Sequence, residues 1–553
     1  MLKGVAVGSL ACGLLLSAVG GTQAKKYLSF GWEFRDATAK ALVANADRLA
    51  DTAFDGVGIY LNGATNSVGE ELKFVARGAK WEKEAFKDVL PDLKVLAKTP
   101  HLSESLLVGC FGAPVKRFAW TDDAAWENLG HSLGVVGWLT RESGIKGLWC
   151  DYEDYHGQNQ FTLTDADPSW EEMQVLARKR GAQVFGPLFR ENPNVRLLFC
   201  WVLTFPREYF NAPDVRAMAK GNGDLWPAFL NGILDVMPET ARLIDGDEHC
   251  YRAESRQRDF HYSYAKQRTV CPQLVAPEHR EKYLRQTGVS FGLYFDSYVN
   301  PAGHGWYMEP ANGSRAERLR RNLLDATRLA DEYVWFWGEM NTSAKWGADM
   351  RVQKSLQRRD KTWDEQIGGV NEAMRCCKDP DWGLARRLKE LKAKGELVDL
   401  VSNPKCENRG EKRSLPSPYG FWKPKNETKA EFFLDETTGH GDSSSISMRN
   451  AKLGTIILDI PNVKGGDTYA VMFAAKGGPL DARVNWHTKT WWNRSQDDVG
   501  FVLGAPDADG WRTACSMVIV PEGVDVFSVL FTVKDKKNRP QIWVDDIHVV
   551  KLW

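Results

Sequence analysis

The chain has 553 residues, with 72 Lys and Arg against 72 Asp and Glu, so its formal net charge is zero. No basic tract stands out, which argues against a nucleic-acid partner, because phosphates call for a concentrated positive face. The length exceeds what one hydrophobic core supports, so two or three domains are expected.

Residues 1–24 read as a signal peptide. Lys3 supplies a positive start, residues 5–21 form an apolar run rich in Gly and Ala, and "TQA" ends at Ala24 with small residues at −3 and −1. The expected mature protein is secreted, or held in the periplasm or at the cell surface. A membrane anchor and a lipoprotein at Cys12 are the weaker readings, since the run is diluted by glycines and continues past Cys12. No later segment has the length and apolarity of a transmembrane helix.

From residue 26, short apolar runs alternate with amphipathic stretches. "KYLSFGWE" predicts a strand, and "DATAKALVANADRLADTAF" a helix capped by Asp36. "FDGVGIYLNG", "SLLVGCFG", "IKGLWCDYE", "VRLLFCWVLT", "ARLIDGDE", "VSFGLYFDSY" and "EYVWFWGEM" are the next seven strands, with helical stretches between them. Eight β-then-α units whose strands are apolar on both faces predict a parallel (β/α)8 TIM barrel over residues 25–400, with a charged helical extension after residue 342. An open doubly wound sheet is the alternative, but no G-x-G-x-x-G or Walker loop supports it. Residues 401–415 form a polar, Pro-containing linker. Residues 416–553 then change to short alternating strands between Gly, Asp and Pro turns, an all-β sandwich.

A barrel's chemistry sits where its strands end. The ends here carry Trp32-Glu33, Asn62, Asp151-x-Glu153, Asp245-x-Asp247-Glu248, Asp296-x-Tyr298 and Trp337-x-Glu339, with Tyr155 just beyond the fourth. Strand alternation places Trp149, Asp151 and Glu153 on one side, and Trp335, Trp337 and Glu339 on another shared face. Close carboxyls raise one another's pKa, and aromatic walls raise it further, which is what a general acid for a glycosidic oxygen needs. Glu153 is therefore the expected acid, Asp151 its neighbour and Glu339 the nucleophile or water-activating base. Trp32, Tyr155, Asp245, Asp247, Asp296, Tyr298, Trp335 and Trp337 are the expected sugar contacts. The run "DGDEH" also admits a bound cation. The 22 Trp suit stacking on sugar rings as well as an aromatic core. Hydrolysis of a poly- or oligosaccharide or a glycoprotein glycan, without a catalytic cofactor, is the leading expectation. A non-catalytic glycan-binding protein with a degenerate barrel is the alternative. A peptide hydrolase is disfavoured because no G-x-S-x-G or metalloprotease motif occurs. Neither a CxxC pair nor an HExxH motif points to zinc, and Cys110, Cys150 and Cys200 read as buried thiols within strands.

"KGLWCDYE" resembles the fourth-strand D-G-x-D-x-D-x-E signature of chitinase-like family 18 glycosidases. Gly147, Asp151 and Glu153 match it, whereas Lys146 and Trp149 replace its first two acids and "YFDSY" stands in loosely for M-x-Y-D. The resemblance implies that Glu153 is the acid and that Asp151 orients a substrate acetamido group. The whole chain resembles a secreted glycosidase-like barrel with a terminal sandwich. In that tail, "FFLDETTGHGDSSSISM", "TYAVMFAAKG" and "WVDDIHVVKL" resemble the galactose-binding-like jelly roll of carbohydrate-binding modules. That likeness implies a structural calcium near Asp545 or Asp546. Trp486, Trp491 and Trp492 in "VNWHTKTWW" are the expected sugar platform, with a purely structural sandwich as the competing reading.

Overall fold

The computed structural model describes residues 25–71, 80–110, 117–153, 157–204, 207–311, 313–352, 360–407, 414–489, 494–521, 523–535 and 537–553. The expected signal peptide, Tyr155, Trp491 and Trp492 lie outside the described residues. The chain forms two compact units, Ala24–Lys378 and Asp379–Trp553.

The first unit is an α/β structure around nine parallel strands. They are β1 (Lys26–Ser29), β2 (Gly56–Ile59), β3 (Leu106–Cys110), β4 (Gly147–Asp151), β5 (Arg196–Phe199), β6 (Arg242–Asp245), β7 (Thr287–Val289), β8 (Gly292–Tyr294) and β9 (Tyr333–Trp337). Their hydrogen-bonded order is β7-β6-β5-β4-β3-β2-β1-β9-β8, a curled sheet. All eight expected strands are present, and the seventh is broken in two at Ser290 and Phe291. Each half pairs with a different neighbour, β7 with β6 and β8 with β9. The curl brings distant strands together through the interior. Trp149 of β4 stacks on Trp337 of β9 at 5.6 Å, and Phe30, just after β1, stacks on Trp149 at 5.3 Å.

Long helices cover the outside. Helix Asp123–Ser143 starts at the Asp122 side chain, which accepts the Ala125 N–H, and stops at left-handed Gly144. Helix Trp170–Glu191 begins with a Ser169/Glu172 capping box. It meets helix Trp226–Val236 so closely that a Cβ on Gly181 would lie 2.0 Å from the Phe229 oxygen, and one on Gly232 1.9 Å from the Arg178 oxygen. The first helix is shorter than expected. It runs Ala39–Ala44 from Thr38, not Asp36, because the Thr38 hydroxyl accepts the Ala41 N–H.

The second unit holds two five-stranded antiparallel sheets. Its strands are β10 (Gly420–Trp422), β11 (Glu431–Asp435), β12 (Ser445–Arg449), β13 (Leu453–Pro461), β14 (Thr468–Gly477), β15 (Asp481–His487), β16 (Arg494–Gly500), β17 (Arg512–Ile519), β18 (Val526–Lys534) and β19 (Ile542–Lys551). The sheet orders are β10-β13-β18-β15-β16 and β11-β12-β19-β14-β17. Inward residues such as Ile456, Phe531, Val471, Phe473 and Val544 form one shared core, with Phe473 edge-on to Phe531 at 4.9 Å. Helix Pro380–Lys394, read from sequence as part of the barrel's extension, packs in this second unit. Its Leu384, Leu388 and Leu391 cover Ala470, Met472, Met517 and Val550 on the outer side of a sheet. The start of the expected linker is also built in, since Leu400 N–H donates to Val549 and Val401 and Cys406 are core residues.

Candidate active site

The end of β4 turns at once. Asp151 is buried and its Oδ1 accepts the Glu153 N–H at 2.8 Å, which bends the chain just past the strand. Tyr152 faces away and stacks on Trp226 at 4.3 Å. Glu153 is half-buried.

The end of β6 supplies a partner that strand parity hides. Asp245 is fully buried and accepts the Leu203 N–H at 3.0 Å and the Thr204 hydroxyl at 2.7 Å, and burial raises its pKa to about 6. Asp247, with φ at +34°, turns away and is hydrogen-bonded by the Ser263 hydroxyl. These two expected sugar contacts instead anchor neighbouring segments. The left-handed residue starts the 3-10 helix Glu248–Arg252, whose first side chain meets Glu153 and Asp151. Burial first, and then the charges of Glu153 and Asp151, push the Glu248 carboxyl up to about 9. The buried Cys200 thiol hydrogen-bonds to it. Glu248 is therefore a carboxyl that keeps its proton at neutral pH beside a second carboxyl group.

A second acidic group forms at the ends of β8 and β9. Asp296 is fully buried and its Oδ2 accepts the Glu339 N–H at 2.9 Å. Burial raises Asp296 to about 7, and its Oδ1 has no hydrogen-bond partner among the described residues. Glu339 accepts the Trp337 indole N–H at 2.9 Å and a hydrogen bond from the Tyr294 hydroxyl. Aromatic rings join the two acidic groups. Trp337 stacks on Trp149, Tyr251 stacks on Tyr294 at 5.2 Å, and the field of Glu248 and Glu153 reaches the Tyr251 hydroxyl.

Other expected contacts fall elsewhere. Trp335 is completely buried with its N–H on the Gly246 oxygen at 2.8 Å, so it fills the interior below the rim. Tyr298 is buried and its hydroxyl meets Asn322 of the helix Arg315–Leu329. Trp32 opens a 3-10 helix next to Glu33, whose buried carboxyl takes the Ser343 N–H and hydroxyl and the Trp346 indole N–H. Gly31 allows this junction, because a Cβ there would lie 2.1 Å from the Gly338 oxygen. Cys150 and Cys200 are buried free thiols, as expected.

In the second unit, Trp486 is 1% exposed and edge-on to Phe527 at 5.7 Å. It shares the inward parity of Val484 on β15, so it is core and not a platform. Asp545 and Asp546 are buried, but their surroundings do not fit a resident calcium. Asp545 accepts the His440 N–H at 2.7 Å, Asp546 bonds His440 Nδ1 at 2.7 Å, and Lys405 Nζ lies 3.5 Å from Asp546 and 3.4 Å from Asp442. An ammonium and an imidazole stand where the cation would. Among the described residues, no group of three or more His, Cys, Asp or Glu is arranged to hold a metal ion, and no helix is long and apolar enough to cross a membrane.

No family model and no curated protein matches the chain. Solved structures show limited similarity to the chain, and three of them illustrate it. The CBM22-2 xylan-binding domain of Paenibacillus barcinonensis Xyn10C is 15% identical over 25% of this chain and 94% of its own, with a TM-score of 0.20. TmCBM61 in complex with β-1,4-galactotriose is 10% identical over 28% of this chain and 99% of its own, with a TM-score of 0.21. The enzymatically active domain of bacteriophage CBA120 tailspike protein 4 is 15% identical over 28% of this chain but only 21% of its own, with a TM-score of 0.22.

Proposed function

We propose that the protein is an exported glycoside hydrolase whose curled sheet is a closed (β/α)8 barrel and whose second unit is a carbohydrate-binding jelly roll. Closure is supported by the sheet's two terminal strands, β7 and β8, which are separated by only Ser290 and Phe291 in the chain. The observation that carries the function is Glu248, a carboxyl held protonated to about pH 9 against Glu153 and Asp151. In this reading Glu248 gives its proton to the glycosidic oxygen as the bond to the anomeric carbon breaks. The carboxylate of Glu153 attacks that carbon or takes a proton from the water that does, and the water's oxygen ends on the sugar. Asp151 fixes the backbone of Glu153 through its N–H. Glu339, oriented by Trp337 and Tyr294, faces sugar hydroxyls across the aromatic floor.

A panel of glycans assayed for new reducing ends tests the reading. On any glycan cleaved, Glu248→Gln should lower turnover of an unactivated bond by about 10²–10⁴-fold. A substrate whose leaving group needs no proton should lose much less. Near-normal turnover by Glu248→Gln would remove it from the acid role. Retention of a glycan that is never cleaved would favour the glycan-binding alternative.

A further inference from the structure

Arg252 ends the 3-10 helix that begins with Glu248, and its side chain is exposed. It has no hydrogen-bond or ion-pair partner among the described residues. Its guanidinium lies instead over the Trp306 ring, 4.0 Å from the centroid. Trp306 is itself 37% exposed, on the segment that follows β8. That segment is held in place, with the Trp306 N–H on His304 Nδ1 at 3.1 Å and its carbonyl accepting Asn300 Nδ2 at 3.1 Å. The indole stands edge-on to Tyr251 at 6.2 Å and to Tyr294 at 5.6 Å, the two rings that connect Glu248 with Glu339. The Arg–Trp pair therefore sits one ring away from both acidic groups.

A guanidinium seated near a ring face is held by the ring's quadrupole, and its N–H fork is pre-ordered for a two-oxygen partner. An exposed Trp beside it offers a face for the sugar carrying that partner. We propose that Arg252 and Trp306 form a subsite for an anionic substituent, a carboxylate or a sulfate, on the sugar next to the cleaved bond. The substrate class is then an acidic glycan. This rests on the hydrolase reading for the position of the cleaved bond, while the charge preference can be read from binding alone.

The test is affinity electrophoresis and calorimetry of the full chain with polygalacturonate, carrageenan and neutral galactan at fixed ionic strength. One or both anionic polymers should bind more tightly than galactan, and which of them does so separates carboxylate from sulfate. Arg252→Gln should weaken that binding by about 10- to 100-fold, the scale of a charge-assisted pair, and leave galactan unchanged. Trp306→Ala should reproduce the loss, and Arg252→Lys should restore it only in part. If an anionic glycan is a substrate, Arg252→Gln should raise KM with little change in kcat. Equal binding of anionic and neutral polymers, or tight anionic binding by Arg252→Gln with an unaltered melting temperature, overturns the subsite. Cleavage of a neutral glycan that needs Glu248 and ignores Arg252 would sink the subsite and keep the hydrolase. Arg252-dependent binding of an anionic glycan that is never cleaved would do the reverse.

Discussion

Two buried acids, one in each unit, are held in opposite ways. At the ends of β4 and β6, Glu248 faces Glu153 and Asp151, and it stays neutral by keeping its proton up to about pH 9. On β19, Asp546 is buried, but Lys405 and His440 supply positive charge. Burial raises its pKa, and the His440 hydrogen bond and Lys405 charge outweigh that, so it falls below the usual carboxylate range. On the proposed reading, the difference separates a chemical role from a structural one. A carboxyl that holds a proton can deliver it, whereas a carboxylate matched by a fixed cation only holds the fold together.

The largest test of this contrast is whether the second unit stands without the first. A fragment of residues 379–553 should melt cooperatively, because helix 380–394 and the segment up to Cys406 belong to its packing. Residues 416–553 alone uncover the surface beneath Leu384, Leu388 and Leu391, each worth about 1.5–3 kcal/mol of burial. That shorter fragment should be molten or aggregated by circular dichroism and gel filtration. A shorter fragment as stable as the longer one would show that the helix is dispensable.

Next in size is Asp546→Asn, which keeps a side chain tolerant of the left-handed backbone at φ +47° and removes the charge. Breaking a fully buried pair costs about 3–5 kcal/mol. Lys405, with a third of its side chain exposed, can reach water, so about 2 kcal/mol in denaturant melts is expected. The loss should be the same with and without a calcium chelator. A chelator-dependent difference would contradict the assignment of Lys405 and His440 as the cations of this site.

The third test is of pH dependence. The folded value of about 9 for Glu248 lies above the ordinary 4.5, so its contribution to stability is complete below about 4.5 and lost as pH rises towards 9. Glu248→Gln has no proton to release. Its melting temperature relative to wild type should therefore rise between pH 5 and pH 8. A constant difference across that range would mean that Glu248 is ionised in the folded protein. Asp546 has the opposite sign, with its contribution lost as pH falls.

Much of this architecture was legible as periodicity. The eight strands of the first unit and the long strands of the second stand out because apolar runs and turn residues are local signals. The role of Glu248 is harder to read, because the left-handed turn at Asp247 ends the strand's alternation before it. Trp486 turns into the core against expectation for a related reason, since alternation says which residues share a face and not which face is inside. The helix at 380–394 shows an apolar stripe in sequence, but a stripe does not name the surface that it covers.

The pairing of β1 with β9 has a consequence in time. It joins Lys26 to Tyr333 and Ser29 to Phe336, partners about 300 residues apart. At the usual ~5–20 residues per second of synthesis, β9 emerges ~15–60 s after β1. Until then one edge of β1 has no native strand beside it, and an open edge of this kind is a template for wrong pairing. Sheets joined by such distant contacts also fold slowly once complete. The first unit thus passes through a long unsealed stage during synthesis, and its yield should depend on how well that edge is kept from other chains.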